Sequence, residues 1–192
     1  MMKNLFLIIV TLLSFSCKAQ EYPLNTSLDN LPNNAYLKDT NNELDKYVGL
    51  WKGTWDGKTL YIQLKKLKHY SSIPGDTHPY YIDVIFGERK VVAADGTIEI
   101  DRITNFDEQG NEIRGIFSSL RNGNWKRLYF SPKNMCGKRA SLDITSFTGN
   151  QMTLHLEYMP SIYKEDCIHN AYVQQHNDFP INFPKDIVLT KQ

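Results

Sequence analysis

The sequence predicts an all-β protein: an antiparallel meander of about nine strands closing into a barrel, with a two-sheet sandwich as the alternative. Three observations carry that prediction. From residue 50 onward, short runs alternate apolar and polar residues with a period of two. Tight-turn pairs separate many of these runs, namely Asp56-Gly57, Asp95-Gly96 and Asn122-Gly123. No stretch sustains a helical period. Successive hairpins make a meander, and a meander this long removes its edges by closing or by folding into two layers.

Taken in order, Glu43 to Val48 can form one helical turn, and Leu50 to Trp55 is the first strand. Thr59 to Tyr70 follows, with Leu60, Ile62 and Leu64 on one face. Ser71 to Pro79, with two prolines and a glycine, reads as a loop. Tyr80 to Val92 and Thr97 to Thr104 come next, then a polar turn over Asp107 to Glu112. Ile113 to Leu120 and Trp125 to Phe130 flank Arg121-Asn122-Gly123-Asn124. Ser141 to Phe147 and Met152 to Tyr158 flank Thr148 to Gln151. The stretch from Pro160 to Pro184 is irregular apart from a short helix near Asn170 to Gln175. Ile187 to Lys191 is the last strand.

The N-terminus carries an export pattern. Lys3 is the one charge in the first sixteen residues, and Leu5 to Leu13 is apolar apart from Thr11. Ser14-Phe15-Ser16-Cys17 follows. A basic start, a short apolar core and small residues before a cut form a secretory signal. Nine residues span roughly 14 Å as helix, half a bilayer core, which is too short for a permanent membrane span. Cleavage before Cys17 would leave a thiol and a free amine, both of which can be acylated, and several acyl chains anchor where one does not. The alternative is an ordinary signal cut after Ala19. Residues 1–16 are thus expected as a lipoprotein signal peptide, 17–43 as a polar tether rich in Asn, Asp, Thr and Pro, and 44–192 as a single barrel-like domain.

Two resemblances extend this reading. Ser16-Cys17-Lys18-Ala19-Gln20, the run Asn33 to Asp45 leading into Gly49-Leu50-Trp51-Lys52-Gly53-Thr54-Trp55-Asp56-Gly57-Lys58, and the ending Ile187 to Gln192 together resemble an uncharacterised family of Bacteroidota lipoproteins. The resemblance covers most of the mature chain and implies export and anchoring through Cys17, but no activity. Tyr47-Val48-Gly49-Leu50-Trp51 is similar to the Gly-x-Trp motif that opens the first strand of lipocalins and related ligand-binding barrels. It implies that Gly49 lets a helical turn approach the strand and that Trp51 plugs one barrel end. The tight turn at Asp56-Gly57, where lipocalins have a long loop, departs from that pattern.

Composition excludes some functions. Without Lys3 the mature chain carries 21 basic and 21 acidic residues. A net charge near zero gives no electrostatic case for nucleic acid. Two cysteines remain after Cys17. In an oxidising envelope Cys136 and Cys167 are expected to form a disulfide closing about 32 residues, against the alternative of two buried thiols.

The candidate chemistry is sparse. Trp51 and Trp55 share a strand face with Gly53 and are either an aromatic platform for a ligand or core. Glu99 and Asp101 lie about 6 to 7 Å apart on one face, a spacing carboxylate catalysis uses, although a solvated face gives the same pattern. Asp166, Cys167, His169, His176 and Asp178 are metal-capable but fit no standard zinc spacing. Asp107 to Glu112 shares only composition with a calcium loop. No catalytic residue, metal site or cofactor is therefore expected, and the chain is read as a non-enzyme. The expected function is a lipid-anchored envelope module, on the outer membrane, that binds a small ligand or an envelope protein. The alternative is a secreted hydrolase whose site is assembled from distant residues. The contents of the barrel interior discriminate between these readings.

Overall fold

A computed structural model describes residues 20–72, 79–118, 126–160 and 166–192. The chain is all-β, with eleven strands and one short helix among the described residues. In chain order the strands are β1 (Glu21–Pro23), β2 (Tyr36–Lys38), β3 (Gly49–Trp55), β4 (Lys58–Ser71), β5 (Tyr80–Val92), β6 (Ile98–Asp101), β7 (Ile113–Ser118), β8 (Lys126–Phe130), β9 (Ala140–Phe147), β10 (Gln151–Tyr158) and β11 (Asp186–Lys191). The helix, α1, is Asn170–His176. Cys17 and the signal segment, the Arg121–Asn124 turn and Trp125 lie outside the described residues.

The strands β3, β4, β5, β7, β8, β9, β10 and β11 follow one another around a closed antiparallel barrel. Closure comes from the last strand meeting the first, with Lys191 opposite Trp51 and Thr190 opposite Lys52. Closure also pairs β5 with β7, Ile85 opposite Gly115. All eight strands were legible as alternating runs. The ninth, β6, pairs only with the end of β5 and stands off the barrel. The barrel, not the sandwich, is thus the architecture.

The chain divides into two compact units. One holds 42–67 and 84–192, which includes most of the barrel. Alternation along each of its strands sends one set of side chains inward. Leu60, Ile62, Leu64, Ile85, Ile113 and Leu128 are all at zero exposure, as are Phe130, Leu142, Leu154 and Leu189. Zero exposure means that no water-sized space touches these side chains, so the interior there is packed rather than hollow.

Both ends of this interior are occupied. At one end Trp51 is fully buried, and its Nε1 donates to the Tyr47 carbonyl at 2.8 Å, in a 3-10 turn spanning Asp45–Tyr47. Gly49, at φ +134°, keeps its surface clear for the Lys191 stem; a Cβ there would meet Lys191 Cε at 2.9 Å. Gly53 sits under the neighbouring strand, where a Cβ would stand 2.7 Å from the Val188 carbonyl oxygen. At the other end, Ile181 is buried and Phe183 packs on Phe130 at 5.2 Å. Arg89 lies over the Phe130 ring and donates to the carbonyls of Ile181 (2.7 Å) and Asn182 (2.8 Å), and its Nε to Glu112 at 2.8 Å.

The second unit contains the described residues 20–41, 68–72 and 79–83. Sequence periodicity suggests only a tether before residue 44, yet β1 and β2 pair in parallel there, Tyr22 opposite Leu37. Each is three residues long, too short to display a period. Leu31, Ala35 and Leu37 form a small core with Tyr22, Leu24, Tyr80 and Ile82. Tyr36 donates to Asp83 at 2.6 Å, and burial together with that carboxylate pushes its phenol well above its ordinary value.

Candidate functional site

The outward faces of β8, β9 and β10 carry the candidate site. Leu128 and Phe130 point inward on β8, so Arg127 and Tyr129 point outward. On β9, Leu142 and Ile144 point inward and Ser141 and Asp143 outward. The register aligns these outward residues in rows: Arg127 beside Asp143 beside His155, then Tyr129 beside Ser141 beside Glu157. One step beyond the strand ends, the Met159 N–H donates to the Arg139 carbonyl at 3.0 Å and extends the pattern to Ser131, Arg139 and Met159.

The first row is a buried ion pair. Arg127 grips Asp143 with both ends of its fork, Nε to Oδ1 at 2.6 Å and Nη2 to Oδ2 at 2.8 Å. Only 7% of Arg127 and none of Asp143 is exposed. Outward polar residues of a barrel are ordinarily solvated. Here the hydrogen bond to Asp143, opposed by burial, raises the guanidinium pKa further.

Beyond it is a cleft of about 270 Å³ lined by Tyr129, Phe130, Ser131, Arg139, Ala140 and Met159. Phe130 and Ala140 pair across the strands at the base of the cleft. Tyr129, Ser131, Arg139 and Met159 face outward around it. Among the described residues the Arg139 guanidinium enters no ion pair. Lys58, Lys90, Arg102 and Arg127 each sit on a carboxylate.

Near this cleft in the chain, the expected disulfide is present: Cys136 and Cys167 are bonded, 31 positions apart. It ties the segment leading into α1 to the loop before β9. Ile168 next to it is 80% exposed, and Tyr172 stacks on His176 with ring centroids 4.2 Å apart. His169 shares a hydrogen bond with the Asn134 carbonyl at 2.8 Å. Cys167 is committed to sulfur. Among the described residues, no three His, Cys, Asp or Glu side chains stand where they could share a metal ion.

The remaining sequence candidates are not brought together. Trp51 is the sealed core residue described above, while Trp55 is half-buried four positions on. Glu99 meets Lys58 and Asn182, which lower its carboxyl below the ordinary range. Asp101 meets Lys90 and Thr104 and falls to about 2. Each carboxylate of that strand is thus held ionised by its own partners. In the turn before β7, Asp107 accepts from the Gln109 and Gly110 N–H groups, at 3.0 and 2.8 Å.

Sequence reasoning missed Arg127, Asp143, Arg139 and the Glu88–Arg102–Glu112–Arg89 cluster. Glu88 is buried, which raises its carboxyl pKa, and Arg102 beside it opposes that rise with bonds of 2.9 and 3.2 Å. A charge flanked by apolar neighbours in an alternating strand is indistinguishable from a solvated outward residue. Only the cross-strand register, Arg127 opposite Asp143, could have signalled the pair.

A model of a family of unknown function, DUF6705, matches residues 1–192. The chain belongs to this family. No curated protein and no solved structure matches it. The cleft, the buried Arg127–Asp143 pair and the disulfide are therefore features of a DUF6705 chain, a family whose function is unknown.

Proposed function

We propose that this DUF6705 protein is a lipid-anchored envelope module that binds on the outside of its barrel and does not carry a ligand within it. The single observation behind this reading is the packed interior. A ligand carrier of barrel type needs an apolar cavity. Here ten inward side chains, from Leu60 on β4 to Leu189 on β11, leave no water-sized space against them, and Trp51 and the Ile181–Phe183 segment occupy the two ends. The outer face of β8–β10 instead presents a cleft with aromatic, hydroxyl, thioether and cationic groups around it.

The anchoring half rests on Lys3, the apolar run to Leu13 and Cys17. Among the described residues no helix is long and apolar enough to cross a membrane, which says nothing of the segment before residue 20. Growth with a clickable palmitate analogue should label the wild-type protein and not Cys17→Ala; an unlabelled wild type would sink the lipoprotein half. The binding half is tested with cis-parinaric acid, whose emission rises in a dry cavity. Saturable emission that survives substitutions around the outer cleft would contradict it.

A further inference from the structure

We propose that the cleft at the ends of β8, β9 and β10 binds a compact amphipathic carboxylate, with Arg139 as its charge partner. The proposal deepens the reading of an outside-binding barrel and rests on it.

The charge comes first. The protein is nearly neutral, and four other cations of this unit each sit on a carboxylate. Among the described residues Arg139 does not, and it lies exposed at the cleft wall. A guanidinium presents a planar fork that matches a carboxylate better than it matches a neutral acceptor. Ser131, outward on the same row, offers a hydroxyl donor.

The body of the ligand follows from the other walls. Tyr129 gives an aromatic face and Met159 a polarisable thioether, which together accept a ring or a short branched chain. A volume of about 270 Å³ lies just below the range of drug-sized sites, so it suits one ring with a short acid arm. A peptide fits less well. Peptide recognition on a sheet draws on free main-chain groups. Here the Ser131 N–H is given to the Glu112 carbonyl, the Met159 N–H to the Arg139 carbonyl, and Phe130 pairs with Ala140. The occupant is therefore a free small molecule.

The test uses 3-phenylpropionate and its neutral amide, 3-phenylpropanamide, titrated into the full-length protein by calorimetry and by NMR of the methionine methyls and arginine Nε–H groups. The acid should bind saturably, shift Met159 and Arg139, and bind at least about tenfold more tightly than the amide. Arg139→Gln should weaken the acid to the level of the amide, leave the amide unchanged and leave the melting midpoint unchanged; Arg139→Lys should recover part of the preference. No saturable binding of the acid, equal binding of acid and amide, or indifference to Arg139→Gln would overturn the proposal while leaving the outside-binding reading in place. Shifts confined to the inward Met152 methyl would overturn both. A peptide ending in a free Phe carboxylate that binds tenfold more tightly than the acid would overturn the free-ligand assignment.

Discussion

Lys191 lies across the indole of Trp51, its ammonium 5.5 Å from the ring centroid, and donates to the Lys46 carbonyl at 3.3 Å. The last strand thus reaches over the first aromatic of the barrel and is tied to the 3-10 turn before it. Three parts of the chain, near residues 46, 51 and 191, close one end together. Trp51→Ala should cost about 3 to 5 kcal/mol, as for other large core aromatics. Lys191→Ala should cost about 1 kcal/mol through the lost cation–π contact. Trp55→Ala, at a half-buried site, should cost clearly less than Trp51→Ala. Urea unfolding curves of the three variants check the ranking, and an unchanged midpoint for Trp51→Ala would contradict it.

Reduction should loosen the same barrel at a different place. Opening the Cys136–Cys167 loop restores chain entropy to the unfolded state, and the loop length puts the effect at roughly 3 to 4 kcal/mol. Cys136→Ala/Cys167→Ala should melt well below the wild type, and dithiothreitol should lower the wild-type midpoint while leaving the double variant unmoved.

The buried pair on the outer face predicts an asymmetry. Asp143→Ala leaves a buried guanidinium without its carboxylate, a loss of about 3 to 5 kcal/mol. Replacing both partners with apolar residues of similar volume, Arg127→Met/Asp143→Leu, should recover most of that loss, because no uncompensated charge remains. A double variant as unstable as Asp143→Ala would show that the pair is needed for more than charge balance.

Acid should act through Asp101. Its ordinary value is 3.8 and in the fold it titrates at about 2, held there by Lys90 and the Thr104 N–H. A carboxyl depressed by folding stabilises the native state fully above its unfolded value. That contribution fades as pH falls from about 4 toward 2. Denaturation measured at pH 5 and at pH 2.5 should show a smaller acid-induced loss for Asp101→Asn than for the wild type.

The legible and illegible parts of the structure divide along one physical line. Strand alternation records which side chains face inward, so Leu60, Ile62 and Leu64, the eight barrel strands and the meeting of Ile187 to Lys191 with the first strand could be read from the chain. Alternation carries no record of what lies on the outward face. Arg127 and Asp143 therefore look like solvated residues, and Arg139 is simply one cation in a polar turn. The strands β1 and β2 escaped for a different reason: three residues give one full period and no repetition. The disulfide was legible by arithmetic, since only two cysteines remain after Cys17.

The central claim is that ligands meet the outside of this barrel and not its interior, and methyl NMR of leucine- and isoleucine-labelled protein with saturating dodecanol tests it most directly. Dodecanol is apolar enough to enter any dry cavity and has no charge for Arg139 to hold. The methyls of Leu60, Ile62, Leu64, Leu128, Leu142 and Leu154 should keep their positions and show no intermolecular Overhauser contact with the alcohol. Saturable shifts at those methyls, with contacts to the alkyl chain, would mean that the interior opens to a ligand and would contradict the account.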